Sequence, residues 1–421
     1  MLDIKFIREN PDQVKKSVVD KQLTETVDVD KLLRLDSEYT ALLQKVETHR
    51  ALRNELSDKV AKVSDEAREK LIKEATQIKE ELKGWEEDLK KIQDELENML
   101  LWVPNVPAED VPVGEDESKN EVVREVGKLP KFSFDVKDHL ELGQSLGIID
   151  TERGAKIAGS RGYFLRGAGA ELHRAILQYA LDIIESKGFE IFEVPWLVRP
   201  EYLVGTGYFP WGIEDHYAVQ DGLALIGTAE VSLTSYFANE VLDEAQLPMK
   251  LAGISPCYRR EVGGYGQDTK GIFRVHQFTK VEQVVLLPEG EDLSREWHEK
   301  MLAYSEELLK GLGLSYQVLL MCTGDMGAGQ RKKYDIETWF PAQEKYRETH
   351  SDSYFLDFQA RRLNIRYKAK DGKTKYVNTL NNTVAASPRL MAAILENYQQ
   401  KDGSIRVPKA LQKYMKTKVI K

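Results

Sequence analysis

Cysteine is scarce in this chain, and long hydrophobic runs are absent. Two of the 421 residues are cysteine, Cys257 and Cys322, and neither lies in a Cys-X-X-Cys pair or beside a histidine cluster. This argues against a disulfide framework or a structural zinc site, so we expect buried free thiols. The N-terminus lacks the apolar segment of a signal peptide, and no run is long enough to span a bilayer. The sequence therefore predicts a cytoplasmic protein without a membrane partner.

The chain is long and rich in charged residues. Hydrophobic residues make up 42% and charged residues 31% of the sequence, and a chain of this length is expected to form more than one domain with a sizeable core. The net charge is −9. An acidic balance argues at first against a nucleic-acid partner, because Lys and Arg drive phosphate binding. The distribution of the basic residues matters more than their sum.

Residues 29–99 carry the pattern of a two-helix coiled coil. Apolar residues recur every three or four positions from Leu32 to Val63, with two polar interruptions, and again from Leu71 to Met99. Mostly Lys, Glu, Gln and Asp fill the positions between them in the second run. Two helices of about 35 residues would form an antiparallel hairpin roughly 50 Å long. A hairpin of that length buries only its seam, so we expect it to reach a partner.

Basic residues cluster near the predicted tip of this hairpin. They would create a local positive field for a polyanion, although a solvated helix face of mixed charge explains them equally well. The cluster comprises Lys59, Lys62, Arg68, Lys70 and Lys73.

A domain boundary is predicted after the hairpin. Pro104, Pro107 and Pro112 end the helix, and residues 115–119 form an acidic stretch that is typical of a surface linker. The sequence therefore predicts a helical arm domain over residues 1–103, a linker over 104–130 and a second domain over 131–421.

The segment from Cys257 to Lys280 combines arginine, glutamate and aromatic residues around a turn. Arg259 offers a planar fork of donors for a phosphate, Glu261 accepts from an exocyclic amine, and Phe278 stacks on a purine. These side chains meet if two antiparallel strands flank the glycine-rich segment 263–266. An ordinary hairpin with exposed ion pairs and a core phenylalanine accounts for the same residues.

Two further segments frame this hairpin. Residues 171–186 have the apolar spacing of a helix and lead into a strand-like segment, 189–195. Residues 378–383 read as a strand, after which Pro388 opens a helix with Arg389 in its first turn. An arginine there opposes the helix dipole, a cost that an anionic ligand would remove, whereas a solvent-facing arginine is the alternative.

The three segments, taken in chain order, resemble the three motifs of class II aminoacyl-tRNA synthetases. The helix and strand resemble motif one, the hairpin motif two, and the last strand and helix motif three. Thr228-Ala-Glu230, Phe358-Gln-Ala-Arg-Arg362 and Glu396-Asn-Tyr-Gln-Gln400 narrow the resemblance to the seryl-tRNA synthetase family of bacterial type, over essentially the whole chain. The fold that this resemblance implies is α+β. It joins an N-terminal antiparallel two-helix coiled-coil arm to a class II synthetase catalytic domain on an antiparallel β-sheet flanked by helices.

The resemblance also implies an activity and partners. The family activates L-serine with ATP to seryl-adenylate and pyrophosphate, then transfers serine to the 3′ end of serine tRNA, and to selenocysteine tRNA where present. ATP is a substrate and Mg²⁺ a cofactor. The arm grips the tRNA by shape more than by sequence, as is general for double-stranded RNA. The enzyme is a homodimer through the motif-one helix and strand.

Site residues are carried over position by position. The implied catalytic residues are Arg259 and Arg389, at the α- and γ-phosphates. Those implied for L-serine are Thr228, Ala229, Glu230, Glu282 and Thr383. Those implied for ATP are Arg259, Arg260, Glu261, Val275, Phe278, Glu348, Thr349, His350, Ser351 and Arg389. Magnesium is assigned to Glu348 and Ser351, and tRNA to the five basic residues of the predicted hairpin tip.

Two positions depart from the family pattern. Asp352 stands where bacterial relatives usually have cysteine, and we expect it either to alter magnesium affinity or to pair with a nearby arginine such as Arg347. Arg260 replaces a usually small residue, which leaves two arginines as candidates for the phosphate.

Three rival interpretations predict different sequences. A truncated relative that loads a carrier protein lacks the arm, which is present here. A synthetase for threonine or proline is expected to carry an additional C-terminal domain after motif three, whereas this sequence stops soon after it. A catalytically inactive homologue is expected to have lost Arg259, Glu261 or Arg389, and all three are present.

Overall fold

The computed structural model describes residues 1–60, 63, 65–262 and 271–421, and only the backbone of residues 65–67. Lys62 and the glycine-rich segment 263–266 lie outside the described residues. The chain divides into two compact units, Leu2–Pro104 and Asn105–Lys421 together with Met1. Among the helices of the described residues, none has both the length and the apolar character needed to cross a lipid bilayer.

The first unit is helical. Its helices are α1 (Ile4–Glu9), α2 (Pro11–Asp20), α3 (Val29–Val60) and α4 (Asp65–Trp102). Helices α3 and α4 run antiparallel, because Lys31 pairs with Glu95 at 2.9 Å and Arg50 pairs with Glu86 at 2.7 Å. The predicted helical hairpin is therefore confirmed.

An apolar seam joins α3 and α4, and one polar position of the predicted pattern belongs to it. The His49 ring packs edge-on against Trp85, with 4.7 Å between ring centroids, and the Lys45 ammonium lies 3.7 Å from the centroid of the same indole. A histidine is tolerated in the seam because an aromatic partner covers it. The buried residues of the seam include Val46, Leu56, Ile78 and Leu82.

The second unit is a mixture of helices and strands. Its helices are α5 (His139–Ser145), α6 (Thr151–Ala158), α7 (Ala168–Ser186), α8 (Pro200–Thr206), α9 (Glu230–Thr234), α10 (Glu291–Leu312), α11 (Phe358–Leu363) and α12 (Arg389–Asn397). The first nine strands are β1 (Glu121–Val126), β2 (Ile149–Asp150), β3 (Phe164–Leu165), β4 (Glu190–Glu193), β5 (Leu197–Val198), β6 (Tyr217–Ala218), β7 (Ala224–Leu225), β8 (Val241–Asp243) and β9 (Met249–Tyr258). They are followed by β10 (Gln277–Leu287), β11 (Tyr316–Leu320), β12 (Lys332–Phe340), β13 (Lys345–Leu356), β14 (Arg366–Lys368), β15 (Thr374–Tyr376), β16 (Asn378–Ser387), β17 (Ile405–Arg406) and β18 (Val419–Ile420).

An eight-stranded sheet dominates this unit. Its strand order is β1-β11-β12-β13-β16-β10-β9-β4, and every pair is antiparallel except β4 with β9. The predicted α+β class is confirmed. Strand β1 lies within the segment 104–130 that the sequence predicts as a linker, and Arg124 fixes this edge strand by a two-point ion pair with Glu306, at 3.1 and 2.8 Å.

Side chains alternate between the two faces of the sheet, and this alternation separates the site from the core. Gln283 of β10 faces helix α10, because its amide nitrogen donates to the Met301 carbonyl at 3.2 Å. The preceding residue, Glu282, points to the opposite face. One core cluster includes residues of α7, α10 and α12, and another includes residues of α8, α9 and α11.

Candidate active site

A cavity of about 510 Å³ is lined by residues of the large sheet and the loops beside it. The predicted site residues that line it are Glu230, Arg259, Glu261, Val275, Phe278, Glu282, Glu348, Thr349, His350, Ser351, Thr383 and Arg389. Of the other predicted residues of this site, Thr228, Ala229 and Arg260 are not part of the lining. Segments that are distant in sequence therefore meet in one place.

Arg259 enters the cavity directly after strand β9 ends. Its guanidinium lies 5.3 Å from the centroid of the Phe278 ring, and its Nε donates to the Gly227 carbonyl at 3.3 Å. The backbone is anchored from the facing strand, since the Arg259 amide donates to the His276 carbonyl at 3.0 Å. Arg260 turns away from the cavity and donates to the Glu214 carbonyl at 3.0 Å. Of the two adjacent arginines, Arg259 is the one positioned for a ligand.

Glu261 follows with an unusual backbone. Its φ is +55°, in the left-handed region that costs energy for a residue with a side chain. The carboxylate accepts from Arg274 Nε at 2.5 Å. This ion pair holds the carboxylate of Glu261 at the cavity wall.

Arg389 and Glu348 form an ion pair at another wall. Arg389 is the first residue of α12, as the sequence predicts, and Pro388 precedes it. Its Nη1 donates to Glu348 Oε2 at 3.0 Å and to the Glu348 carbonyl at 2.9 Å, while its guanidinium lies 4.6 Å from the Phe273 ring centroid. Burial opposes ionisation of Glu348, yet the Arg389 and Lys333 cations together lower the pKa of this carboxyl.

A β-bulge explains how Glu348 and Ser351, three residues apart on one strand, belong to the same site. The register of β12 and β13 shifts between Ile336 and Glu337, so that Glu348 faces Glu337 and Ser351 faces Asp335. The extra residue restores Glu348 and Ser351 to one face of the sheet. Regular alternation alone would place them on opposite faces.

The two residues between them are tied into the protein interior. Thr349 Oγ1 lies 2.8 Å from Thr338 Oγ1, and His350 Nε2 lies 3.1 Å from the Val384 carbonyl, to which it donates. Burial lowers the pKa of His350 to about 4. The ring is therefore neutral near pH 7, and its Nδ1 lies 2.8 Å from Thr349 Oγ1.

Two buried carboxylates, Glu230 and Glu282, share one amide donor. Asn381 Nδ2 donates to Glu230 Oε2 at 2.9 Å and to Glu282 Oε1 at 3.0 Å. Glu282 also pairs with Lys280 at 2.5 Å and accepts from the Thr383 hydroxyl at 3.4 Å. Burial and the nearby Glu282 charge raise the pKa of Glu230 to about 7. The negative pair is thus only partly neutralised within the protein, which suits a cationic ligand group.

Further donors hold Glu230 in place. Tyr208 donates its hydroxyl to Oε2 at 2.7 Å, and Gln359 donates its amide to Oε1 at 2.8 Å. Thr228 lies behind this residue, since its hydroxyl accepts from the Glu230 amide at 3.2 Å. Thr228 and Ala229 are fully buried at the start of α9, so the structure places them under the site and not at its surface.

Sequence reasoning missed several residues of this site. Lys280 and Asn381 each lie two positions before a predicted residue on the same strand, Glu282 and Thr383, so the two-residue period of a strand would have found them. No comparable signal precedes Tyr208, which reaches Glu230 from the chain after α8.

Asp352 does not form the ion pair with an arginine that the sequence suggested as one alternative. It follows Ser351 on β13 and is outside the cavity lining, on the α10 side of the sheet, where His298 of that helix donates to its backbone carbonyl at 3.1 Å. Among the described residues its carboxylate has no hydrogen-bond partner, so it does not pair with Arg347. That alternative was wrong because adjacent residues on a strand face opposite sides. An effect of Asp352 on magnesium affinity stays a prediction.

The described members of the predicted tRNA-contacting cluster belong to the helical unit. Lys59 pairs with Glu55 at 2.6 Å near the end of α3. Arg68, Lys70 and Lys73 are exposed near the start of α4, and Lys62 lies outside the described residues. Arg68, Lys70 and Lys73 are therefore accessible from solvent.

Comparisons with known proteins agree with this geometry. Residues 1–107 match the family described as seryl-tRNA synthetase N-terminal domain, and residues 214–398 match the tRNA synthetase class II core domain (G, H, P, S and T). The serine–tRNA ligase of Deinococcus radiodurans is 46% identical over 416 residues, covering 99% of this chain and 97% of that protein.

Solved structures are similar along the whole chain. Seryl-tRNA synthetase from Pyrococcus horikoshii, crystallised with ATP, has a TM-score of 0.94 and 40% identity, with 100% of this chain and 99% of that chain covered. Cytoplasmic serine–tRNA ligase from Naegleria fowleri, in complex with AMP, has a TM-score of 0.89 and 33% identity at the same coverage, 100% and 99%.

The sheet, the cavity and the matched core define a class II aminoacyl-tRNA synthetase. The sequence identity to serine–tRNA ligases extends over the full length of the chain and narrows this class to one family. The chain belongs to the seryl-tRNA synthetase family. The predicted class of enzyme, an aminoacyl-tRNA ligase, is confirmed.

Proposed function

We propose that this chain activates L-serine with ATP and transfers the seryl group to the 3′ end of serine tRNA, and to selenocysteine tRNA where one is present. The observation that carries the proposal is a single cavity joining two arginines, Arg259 and Arg389, to two buried carboxylates, Glu230 and Glu282. Similar proteins are named serine–tRNA ligases, and two were solved with ATP or AMP. These relatives support ATP as the nucleotide.

Arginines and aromatics of the cavity suit the nucleotide. Arg259 would hold the α-phosphate and Arg389 the γ-phosphate, since a guanidinium offers a planar fork of donors to phosphate oxygens. Phe278 offers a ring for the purine, beside Val275, and Glu261 offers an acceptor for its exocyclic amine. Arg260 would contribute through its backbone, because its side chain is bonded elsewhere.

The chemistry needs no protein nucleophile. In the first step an oxygen of the serine carboxylate forms a bond to the α-phosphorus, and the bond to the pyrophosphate oxygen breaks. Arg259 would stabilise the charge that develops on the α-phosphate, and the cavity would align the reacting groups. In the second step the terminal ribose hydroxyl of tRNA bonds to the seryl carbonyl carbon, and AMP leaves.

The carboxylate pair would recognise serine. The Glu230 carboxylate would bind the ammonium group, assisted by Asn381, whose buried Oδ1 has no partner among the described residues. Glu282 and Thr383 would bind the side-chain hydroxyl. Alanine would lack the hydroxyl that hydrogen-bonds to these buried groups and would therefore bind more weakly, while threonine would be refused by lack of room. Thr228 and Ala229 would support the pocket from beneath.

The residues at the bulge suit Mg²⁺. Mg²⁺ binds through one or two carboxylates together with substrate phosphates and water, and the described residues contain no cluster of three or more His, Cys, Asp or Glu ligands. Glu348 and Ser351 would hold the ion, and the buried, unpartnered Oδ1 of Asp335 shows that acceptor capacity remains beside them. Bound there, Mg²⁺ would neutralise phosphate charge during nucleotidyl transfer.

Two units imply two tasks. Residues 1–103 would form the tRNA-binding arm and residues 131–421 the catalytic domain, connected by 104–130. Long antiparallel helices with exposed Arg68, Lys70 and Lys73 suit the backbone of folded RNA, which proteins read mainly by shape. An enzyme that uses ATP, serine and tRNA would work in the cytoplasm.

An unpaired edge of the large sheet is where two copies of the chain would form a homodimer. Strand β4 ends the strand order and pairs only with β9 among the described residues. Apolar side chains stand exposed at and near this edge, namely Ile191, Trp196, Leu197 and Tyr236. An unpaired edge with exposed apolar residues favours association with a second copy, through β4 and the preceding helix α7.

One assay tests the proposed activity. ATP–pyrophosphate exchange is measured with each of the common amino acids, with and without Mg²⁺. We expect exchange with serine alone and only when Mg²⁺ is present. Stronger exchange with another amino acid, or equal exchange without Mg²⁺, would contradict the proposal.

A further inference from the structure

Three buried polar residues form a row beneath the large sheet, on the face toward α10. Asp352 of β13 lies opposite Asn382 of β16, and Asn382 lies opposite Gln283 of β10. Directly opposed residues on neighbouring strands have Cβ atoms about 4.5–5.5 Å apart. All three residues are at most 1% exposed. We call Asp352, Asn382 and Gln283 the polar row.

The polar row has more acceptors than donors. Among the described residues, five of its side-chain atoms have no hydrogen-bond partner: both carboxylate oxygens of Asp352, Oδ1 and Nδ2 of Asn382, and Oε1 of Gln283. Four are oxygens, and a single nitrogen can donate. Buried polar atoms are nearly always paired, so these oxygens require a donor or a cation that the described residues do not supply.

Nearby cations do not neutralise Asp352. His298 Nε2 lies 3.6 Å from the carboxylate but donates to the Asp352 carbonyl, and burial lowers the pKa of His298 to about 3, so the ring is neutral. Lys332 and Arg295 pair with Asp110, at 2.6 and 3.0 Å. The Asp352 carboxylate therefore gains no charged hydrogen-bond partner from the described residues.

We propose that Asp352, Asn382 and Gln283 form a binding site for a small monovalent cation, Na⁺ or K⁺. A single proton would supply one donor for four unpaired oxygens, whereas a hard cation accepts several oxygen ligands at once. One carboxylate balances one positive charge. A divalent ion is less suited, because the polar row offers no second carboxylate.

The position of the site gives it a consequence for the active site. Each member of the polar row adjoins a cavity residue in sequence: Gln283 follows Glu282, Asp352 follows Ser351, and Asn382 precedes Thr383. A cation bound beneath the sheet would hold β10, β16 and β13 together at the level of the serine pocket. Its removal is expected to weaken serine binding as well as stability.

Thermal unfolding of the full chain tests the site. Tm is measured at constant ionic strength while tetramethylammonium chloride is replaced by NaCl or KCl. We expect Na⁺ or K⁺ to raise the Tm of the wild type by about 2–4 °C at saturation, and Asp352→Asn to abolish this response. The difference between the NaCl and KCl arms identifies the preferred ion. Asp371→Asn, which removes an exposed carboxylate, is the matched control and should respond like the wild type.

A second measurement tests cation binding at the polar row if Asp352→Asn does not fold. Crystals of the wild type soaked in Tl⁺, which replaces K⁺ and scatters anomalously, should show an anomalous peak between the side chains of Asp352 and Asn382. An equal Tm of the wild type in all three salts, or an equal Tm response in the wild type and Asp352→Asn, would overturn the proposal, as would the absence of a peak if KCl stabilises more than NaCl. In that case a proton or a water molecule satisfies the row.

Discussion

At the scale of single residues, the two neighbouring arginines after β9 offer a direct test of the phosphate site. Arg259 lies in the cavity against Phe278, whereas Arg260 donates to a backbone carbonyl outside it. We expect Arg259→Ala to reduce ATP–pyrophosphate exchange by about a hundredfold or more, because it removes a preorganised donor from the transition state. Arg389→Ala should do the same.

Arg260→Ala is the matched control for this experiment. It removes the same charge one residue away, and we expect exchange within a few-fold of the wild type. Circular dichroism spectra should show that all three variants fold. Equal losses in Arg259→Ala and Arg260→Ala would mean that general charge, and not the geometry of the cavity, governs activity.

Glu230 makes serine binding depend on pH. Its pKa is raised to about 7 by burial and by Glu282, so protonation below this value removes the negative charge that would bind the serine ammonium. The KM for serine should therefore rise as pH falls, by about tenfold per unit well below the pKa. Exchange kinetics between pH 5 and 8.5 measure this, with the KM for ATP as the internal reference.

Glu230→Gln separates this effect from other titrations. The amide keeps the shape of the side chain and has no charge to lose, so its KM for serine should be high and nearly constant across the same pH range. If the wild type and Glu230→Gln show the same slope, another group controls the pH dependence.

At the scale of elements, the sequence predicted the arm and the three motifs because their signals are local. Apolar residues three and four positions apart predict the seam of α3 and α4. Arg389 begins α12 because Pro388 favours a helix start. The roles of Asp352 and of the Glu348–Ser351 pair depend on strand faces and on a bulge. A bulge is set by pairing with a distant strand, so local pattern does not reveal it.

Burial within the α3–α4 seam gives a second kind of prediction. Leu82 is 2% exposed and belongs to the seam, whereas Leu52 on the other helix is 38% exposed. Leu82→Ala should lower the free energy of unfolding of this element by about 2–4 kcal/mol, because it leaves a cavity. Hydrogen exchange of the α3 and α4 amides in the full chain measures the change.

Leu52→Ala provides the comparison at equal chemistry. It should change the stability by less than about 0.5 kcal/mol, as surface substitutions usually do. Similar protection factors in the two variants would contradict the assignment of Leu82 to the seam.

At the scale of the whole molecule, the net charge alone argues against the proposed partner. The net charge is −9, yet the proposed partner is a polyanion. The two are compatible if the contacts with tRNA are confined to a few exposed cations of one unit, although acidic residues such as Glu69 and Glu74 lie among them in sequence. Distribution, and not the sum, then determines affinity, since screening limits interactions of exposed charges to about 10 Å at 0.1 M salt.

The last prediction is that the two units bind different substrates. All residues proposed to bind ATP and serine belong to Asn105–Lys421, and the predicted tRNA contacts belong to Leu2–Pro104. Replacing most of α3 and α4 with a short turn should leave serine-dependent pyrophosphate exchange nearly intact and reduce aminoacylation strongly, through a higher KM for tRNA.

Neutralising Lys59, Arg68, Lys70 and Lys73 together should act in the same direction but more weakly. It should also flatten the salt dependence of tRNA binding, because each lost phosphate contact removes released counterions. Substituting Lys90 and Lys91 of α4, which already pair with Asp94 and Asp88, provides the control for charge alone. Normal charging of tRNA by the shortened protein would show that the helical hairpin does not bind it.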